Sequence, residues 1–120
     1  MSDLPVIDPQ SIENLRSLDP GDGGAFLSEI VGIFLDDTPK RIADLEQSLA
    51  AGDVEKFTRA AHSIKGSSSN LGAMVLRAGA EKMELLARQQ GLGEAAPMLA
   101  ALKVEFARAQ AELSKLLPAK

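Results

Sequence analysis

Residues 60–72 read A-A-H-S-I-K-G-S-S-S-N-L-G and contain the only histidine of the 120-residue chain, His62. Small or apolar side chains recur here at alternating steps of four and three, the spacing of one buried face of an α-helix. These positions are Phe57, Ala61, Ile64, Ser68 and Leu71. At about 100° per residue, His62 lies about 140° from the centre of that face. The stretch therefore predicts a helix that holds its histidine outward.

Gly66 lies one turn after His62 in the same predicted helix. A lone exposed histidine on an amphipathic helix most often has no special role. A glycine inside a helix, however, costs about 1 kcal/mol relative to alanine, and neither a turn nor a proline adjoins this one. The glycine therefore indicates that another molecule comes close to the backbone beside the histidine. Ser69 lies on the same side of the helix, and Lys65 lies at its flank.

The run His62-Ser63-Ile64-Lys65-Gly66, followed by S-N-L-G-A at residues 69–73, resembles the signature of histidine-containing phosphotransfer (HPt) domains. That signature is H-x-x-K-G, then a short polar run and a second glycine. The predicted helix order from about residue 25 to residue 117 is similar to that of the family as well. The resemblance implies an antiparallel four-helix bundle. It also implies that His62 carries a phosphoryl group, exchanged with aspartates of response-regulator receiver domains or received from a kinase.

The composition is typical of one all-α domain spanning residues 1–120. Hydrophobic residues make up 45% and aromatic residues only 3%, which favours packed helices over a β-sandwich. The net charge of -4 and the lack of a basic stripe exclude a nucleic-acid or anionic-membrane partner. With no cysteine and one histidine, no metal site is expected. No segment has the pattern of a signal peptide or a membrane span, so we expect a cytoplasmic protein.

The N-terminal half is predicted to hold short helices that pack against the bundle. Residues 1–7 form a flexible lead, and Asp8-Pro9 is a cap followed by a proline at the first helical position. Residues 19–24 are a loop rich in glycine. A broadly apolar helix over residues 25–37 follows, and part of it is expected to dock a partner. Thr38-Pro39 then predicts the start of a separate helix.

Glycines divide the C-terminal half into further helices. Gly52 ends one helix, Asp53 caps the helix that carries the signature, and Gly72 ends it. Another helix covers residues 73–90. The last runs over residues 94–117, with Pro97 in its first turn and residues 118–120 as a tail. Its apolar side chains alternate in steps of three and four like a bundle seam, at Leu99, Leu102, Phe106, Ala109, Leu113 and Leu116.

The short connection near residue 73 implies that the helices on either side are antiparallel neighbours. Positions equally far from the turn then lie at equal height. The pairs are His62 with Glu84, Lys65 with Glu81, and Ser69 with Arg77. From this position Glu84 would accept the N–H of one ring nitrogen of His62 and leave the other as a nucleophile. The alternative is a solvated glutamate on the helix surface. The HPt resemblance supports the first reading, since Gln or Glu is usual at this distance from the histidine.

The same geometry assigns roles to the neighbours of His62. Phosphorylation adds nearly two negative charges, and Lys65 is the expected counter-charge, with Arg88 adding positive potential one turn beyond Glu84. Gly66 would let a partner approach closely. Ser69 and Ser67 would flank the phosphoryl group, whereas Ser68 would point inward.

No phosphate-binding loop or other nucleotide motif occurs in the chain, so we expect no ATP site and no enzyme activity of its own. No cofactor is expected, and Mg²⁺ would come with the receiver. We predict a monomeric phosphocarrier in a two-component phosphorelay, with a receiver domain or a hybrid histidine kinase as partner. Met1 and the ending at residues 118–120 favour a stand-alone protein. Two alternatives stay open: the phosphorylatable first domain of a chemotaxis-type kinase, and a helical interaction module without phosphoryl chemistry.

Overall fold

The computed structural model describes residues 6–18 and 25–116. Within these ranges the secondary structure is entirely helical, which confirms the all-α prediction. The helices are α1 (Pro9–Ser17), α2 (Ala25–Ala51), α3 (Val54–Leu71), α4 (Met74–Gln90) and α5 (Ala95–Ser114). Helix α2 packs on α3, α3 on α4, α4 on α5, and α5 on α2, so these four close into a bundle. The short helix α1 packs against α2 and α3.

The core is built from the seams that the spacing predicts. On α3 the residues facing inward are Phe57, Ala61, Ile64, Ser68 and Leu71. On α5 they are Leu99, Leu102, Phe106, Ala109 and Leu113. Because side chains three and four positions apart share one helix face, each helix buries a single stripe and leaves the opposite face to solvent. The outward position of His62 follows from this packing.

The helix ends are set by the predicted caps. The side chain of Asp8 accepts the backbone N–H of Gln10, and that of Asp53 accepts the backbone N–H of Lys56, each at 3.1 Å. Gly52 and Gly72 both adopt a φ of +71°, which glycine tolerates and which ends a helix. The two-residue connections after α2 and α3 make α2, α3 and α4 antiparallel neighbours.

The predicted helix start at Thr38-Pro39 is wrong, because α2 runs unbroken from residue 25 to residue 51 with Pro39 inside it. The buried stripe explains the continuity, since its steps of three and four keep their phase through the proline. Its members are Leu27, Val31, Phe34, Thr38, Ile42, Leu45 and Ser48. Pro39 itself is exposed, so its ring lies away from the core. The packing of both halves on the bundle outweighs the roughly 3 kcal/mol that an interior proline costs a helix.

The predicted extent of the last helix is also too long, because α5 ends at Ser114 and residues 115 and 116 form a turn. Val6 and Ile7 pack against the core. The remaining lead at residues 1–5, the loop at residues 19–24 and the tail after residue 117 lie outside the described residues. Among the helices that the structure describes, none is long and apolar enough to cross a lipid bilayer.

Candidate functional site

Helix α3 presents His62 to solvent, as the helical spacing predicts. Phe57, Ala61 and Ile64 are fully buried on the inner face, and the side chain of His62 is 62% exposed on the outer face. Because three anchored residues fix the rotation of α3, the imidazole is held at the surface by the core itself.

Glu84 on α4 lies beside His62, which confirms their equal height in the hairpin. Its Oε2 lies 2.9 Å from Nδ1 of the imidazole. With Nδ1–H donated to the carboxylate, Nε2 is the ring nitrogen without a proton, and its lone pair is available. The alternative of a solvated surface glutamate is wrong, because only 4% of the Glu84 side chain is exposed.

Two cations complete the cluster around the buried carboxylate. Lys65 Nζ lies 3.0 Å from Oε1 of Glu84, and Arg88 Nη2 lies 2.8 Å from Oε2. Equal height in the hairpin suggested Glu81 as the neighbour of Lys65, but Glu81 pairs with Arg77 at 3.7 Å. The long lysine side chain reaches the buried carboxylate instead, where a charge is worth more than at the wet surface.

The environment keeps Glu84 ionised. Burial favours the neutral acid, but the hydrogen bonds from Lys65 and His62 and the positive charge of Lys65 outweigh it and hold the pKa of Glu84 below its usual value. The carboxylate is therefore negative at neutral pH. It faces an imidazole ring whose side chain is mostly exposed to solvent.

Arg88 was expected to add positive potential one turn beyond Glu84, and the structure adds a direct bond between the two side chains. The sequence carries the signal for that bond, because acidic and basic residues four positions apart on a helix are neighbours. Arg88 remains 61% exposed, so its guanidinium holds the carboxylate from the solvent side.

The serines after Gly66 behave differently from one another. Ser68 is fully buried, as expected. Ser67 Oγ donates to the backbone carbonyl oxygen of Ser63 at 3.1 Å, so its hydroxyl is used by the helix and does not flank the ring. Ser69 is exposed. A Cβ placed on Gly66 would meet nothing within 4 Å, so its surface is open to an approaching molecule.

A small apolar groove lies between α2 and α3, on the side of α3 away from Glu84. Its volume is about 150 Å³. It is lined by Ile30, Ile33, Phe34, Asp37, Ser67, Asn70 and Leu71. Ile33 is 58% exposed, which is unusual for a large apolar residue on a helix packed on one face. This is the part of residues 25–37 where a docking surface was expected.

Comparison with known proteins places this geometry in one group. A family model described as "Hpt domain" matches residues 29–112. Over 84 residues the chain is 31% identical to "Multistep phosphorelay regulator 1" of Schizosaccharomyces pombe, covering 70% of this chain and 28% of that protein. Over 81 residues it is 33% identical to the "Sensory/regulatory protein RpfC" of Xanthomonas campestris, covering 67% of this chain and 11% of that protein. The chain thus spans much less than half of either relative.

A solved structure agrees over nearly the whole chain. The crystal structure of histidine-containing phosphotransfer protein B (HptB) from Pseudomonas aeruginosa PAO1 superposes with a TM-score of 0.84 at 27% sequence identity. The match covers 92% of this chain and 93% of that one.

Proposed function

Since the chain belongs to the Hpt domain family, we propose that His62 carries the phosphoryl group and exchanges it reversibly with the aspartate of response-regulator receiver domains. The histidine phosphotransfer role in two-component phosphorelay follows from the family membership. The observation that carries the assignment to His62 is its geometry. Nδ1 is bonded to a buried carboxylate at 2.9 Å, and the rest of the ring is turned to solvent.

The transfer needs few steps. The lone pair on Nε2 of His62 attacks the phosphorus of the receiver's aspartyl phosphate, the P–N bond forms, and the P–O bond breaks. Its electron pair leaves with the aspartate carboxylate. The ring keeps its Nδ1 proton and gains a positive charge, which the negative charge of Glu84 stabilises at 2.9 Å. The reverse reaction returns a neutral imidazole to the same hydrogen bond, so Glu84 positions the ring without taking up the proton.

The charges of the cluster suit the phosphorylated state. Before transfer, Lys65 and Arg88 face the single negative charge of Glu84, which leaves one positive charge in excess. The phosphorylated ring adds one net negative charge, because two charges on the phosphoryl oxygens are partly offset by the charge on the ring. The cluster is then neutral. Since Lys65 is only partly buried and Arg88 is mostly exposed, either side chain can reach the phosphoryl oxygens.

The surface beside His62 suits a folded partner more than a small molecule. Gly66 leaves the backbone of α3 uncovered, so the receiver's active-site loops can come within bonding distance of Nε2. The apolar groove with Ile33 lies on the flank of the same helix. We propose that this groove receives apolar side chains of the receiver, and that Ser69 borders the contact.

The wider setting belongs to the same proposal. The partners are a receiver domain and a hybrid histidine kinase, and the receiver brings the Mg²⁺ that phosphoryl transfer needs. The chain binds no cofactor, has no ATP site of its own, and works as a cytoplasmic monomer. Sedimentation of the purified protein and incubation with labelled ATP alone test the oligomeric state and the ATP site.

The test is phosphate incorporation from a phosphorylated receiver. Wild-type protein is expected to acquire acid-labile, base-stable phosphate, and His62→Gln is expected to acquire none while its circular dichroism stays unchanged. Label on the His62→Gln variant would contradict the proposal. Lys65→Ala is expected to slow transfer without a large loss of stability, because His62 and Arg88 still bond the buried carboxylate of Glu84 when Lys65 is removed.

A further inference from the structure

A second feature of α3 lies on the flank that faces α2, about one turn before His62. A surface cleft of about 370 Å³ opens between α2 and α3. We call it the basic cleft, and its lining residues are Arg41, Asp44, Lys56, Arg59, Ala60 and Ser63. Ser63, one of these lining residues, directly follows His62 in the chain, so the cleft lies next to the proposed site of phosphorylation. The apolar groove lies farther along the same pair of helices.

The three cations of the cleft are not equally neutralised. Arg41 is bonded by Asp37 at 3.4 Å and by Asp44 at 3.1 Å. Lys56 Nζ, in contrast, donates to the neutral amide oxygen of Gln47 at 3.2 Å. For Arg59, no carboxylate in the described part of the chain lies within ion-pair distance. Lys56 and Arg59 therefore have no carboxylate partner among the described residues, and the three cations of the cleft outnumber Asp37 and Asp44 by one, in a chain whose net charge is -4.

Glu55, which is exposed, is the one acidic side chain on α3 placed to compete for Arg59, because it lies four positions earlier. Such a pair on a helix surface contributes only about 0.2–0.5 kcal/mol. A partner that removes water from Arg59 and offers a fixed carboxylate gains more than that. Glu55 therefore does not withhold Arg59 from an incoming acidic group.

The cleft is close enough to His62 for a protein bound at the histidine to cover it. A protein that delivers a phosphoryl group to Nε2 of His62 must lie on α3, and each partner of a typical interface contributes roughly 800 Å². Arg59 is three positions before His62, or about 4.5 Å along the helix axis at roughly 1.5 Å per residue. The cleft then falls inside the footprint of any receiver that reaches the ring.

Resting on the proposed function, we propose that the basic cleft binds carboxylate side chains on the rim of the receiver's phosphorylation pocket and selects receivers whose rim is acidic. The acceptor in that pocket is itself a carboxylate, and Mg²⁺ sites are built from further carboxylate oxygens. Lys56 and Arg59 attract that negative surface and orient it, which raises the association rate and disfavours receivers with a neutral or basic rim. The cleft thus determines specificity and takes no part in the chemistry.

The test compares two arginine reversals that change the net charge equally. Arg59→Glu alters the cleft, and Arg108→Glu alters an exposed arginine on α5, a helix that is not an adjacent neighbour of α3 in the bundle. Transfer from a phosphorylated receiver is measured over a range of salt concentrations. Labelling by phosphoramidate, a small donor that needs no docking surface, is measured in parallel.

Arg59→Glu is expected to lower kcat/KM for the receiver by roughly tenfold at low salt, since steering of this kind changes association rates by about 10- to 1,000-fold. Lys56→Glu is expected to act in the same direction, and Arg59→Lys to restore much of the rate. The deficit shrinks as salt screens the charges. Labelling by phosphoramidate is expected to match wild type in every variant.

Equal losses in Arg59→Glu and Arg108→Glu would overturn the proposal, because net charge alone would then explain them. Unchanged receiver kinetics in Arg59→Glu would overturn it as well. Loss of phosphoramidate labelling in Arg59→Glu would show damage at His62 and not at a docking surface, which also contradicts the proposal. A wild-type protein that no donor labels would instead overturn the proposed function on which this inference rests.

Discussion

Replacing Glu84 tests whether the carboxylate acts on His62 mainly through geometry or mainly through charge. Glu84→Ala removes the acceptor at 2.9 Å from Nδ1, whereas Glu84→Gln keeps an oxygen of similar position and loses the charge. A hydrogen bond to a charged group contributes about 1.5–3 kcal/mol net, and a neutral one about 0.5–1.5 kcal/mol. Since His62 is 62% exposed, water screens the bond and the lower ends of these ranges apply.

The two variants are therefore expected to differ. Glu84→Ala loses about 1.5 kcal/mol of ring positioning, which corresponds to roughly a tenfold slower transfer. Glu84→Gln loses about 1 kcal/mol of attraction for the charged ring. It also relieves the repulsion between Glu84 and the incoming phosphoryl oxygens. These effects oppose each other, so transfer by the glutamine variant should stay within about fivefold of wild type.

Two measurements check this. Because His62 is the only histidine, nitrogen-15 NMR of the imidazole reports its tautomer without ambiguity. The proton should reside on Nδ1 in wild type and Glu84→Gln, and be shared between both nitrogens in Glu84→Ala. Transfer from a phosphorylated receiver, quenched at a series of times, gives the rates of phosphoryl transfer. Wild-type rates in Glu84→Ala would refute the positioning role, and equal damage in both variants would show that charge outweighs geometry.

Three further predictions concern the scaffold around the site. Gly66→Ala is expected to raise the free energy of unfolding by about 1 kcal/mol, because the position is helical and open, yet the larger Gly66→Gln should slow transfer from receivers and leave phosphoramidate labelling unchanged. Gly72→Ala is expected to lower the free energy of unfolding by about 2–3 kcal/mol, because at a φ of +71° the new Cβ would lie 2.6 Å from Cβ of Ser11. Gly52 has the same φ but open space around it, so Gly52→Ala should lower that free energy by only about 1 kcal/mol. Chemical denaturation measures both. Burial raises the pKa of Glu105 above 4.5, so its ionisation costs stability at neutral pH, and Glu105→Gln should gain about 0.5–1 kcal/mol there. That gain should fade in melts at lower pH, as the wild-type carboxyl takes up its proton; a constant gain would contradict this account.

Much of the site could be predicted because it depends on local rules. The caps at Asp8 and Asp53 need only a side-chain oxygen before a helix, and the helical end at Gly72 needs a residue that accepts positive φ. The outward direction of His62 follows from the period of the helix. The position of Glu84 beside His62 follows because the two residues are equally far along their helices from the short turn near residue 73.

Other features depend on contacts between helices, and for two of them the prediction from local sequence was wrong. Thr38-Pro39 has the chemistry of a helix start, yet Thr38 is buried in a stripe that runs on through Pro39. Likewise, Lys65 was matched with Glu81 by height alone. The structure pairs it with Glu84, because the depth of a carboxylate is set by the packing of α3 on α4 and cannot be read from spacing.

The sequence by itself determined the helical class, most of the helix ends and the exposed histidine, because each depends on residues within a turn or two of one another. The tertiary structure alone decided that Glu84 is buried, that Lys65 reaches it from α3, and that Lys56 and Arg59 have no carboxylate partner among the described residues. The physical reason is that the interaction energy of a charged group depends on its distance from water and from other charges. Both distances are fixed only when separate helices pack together.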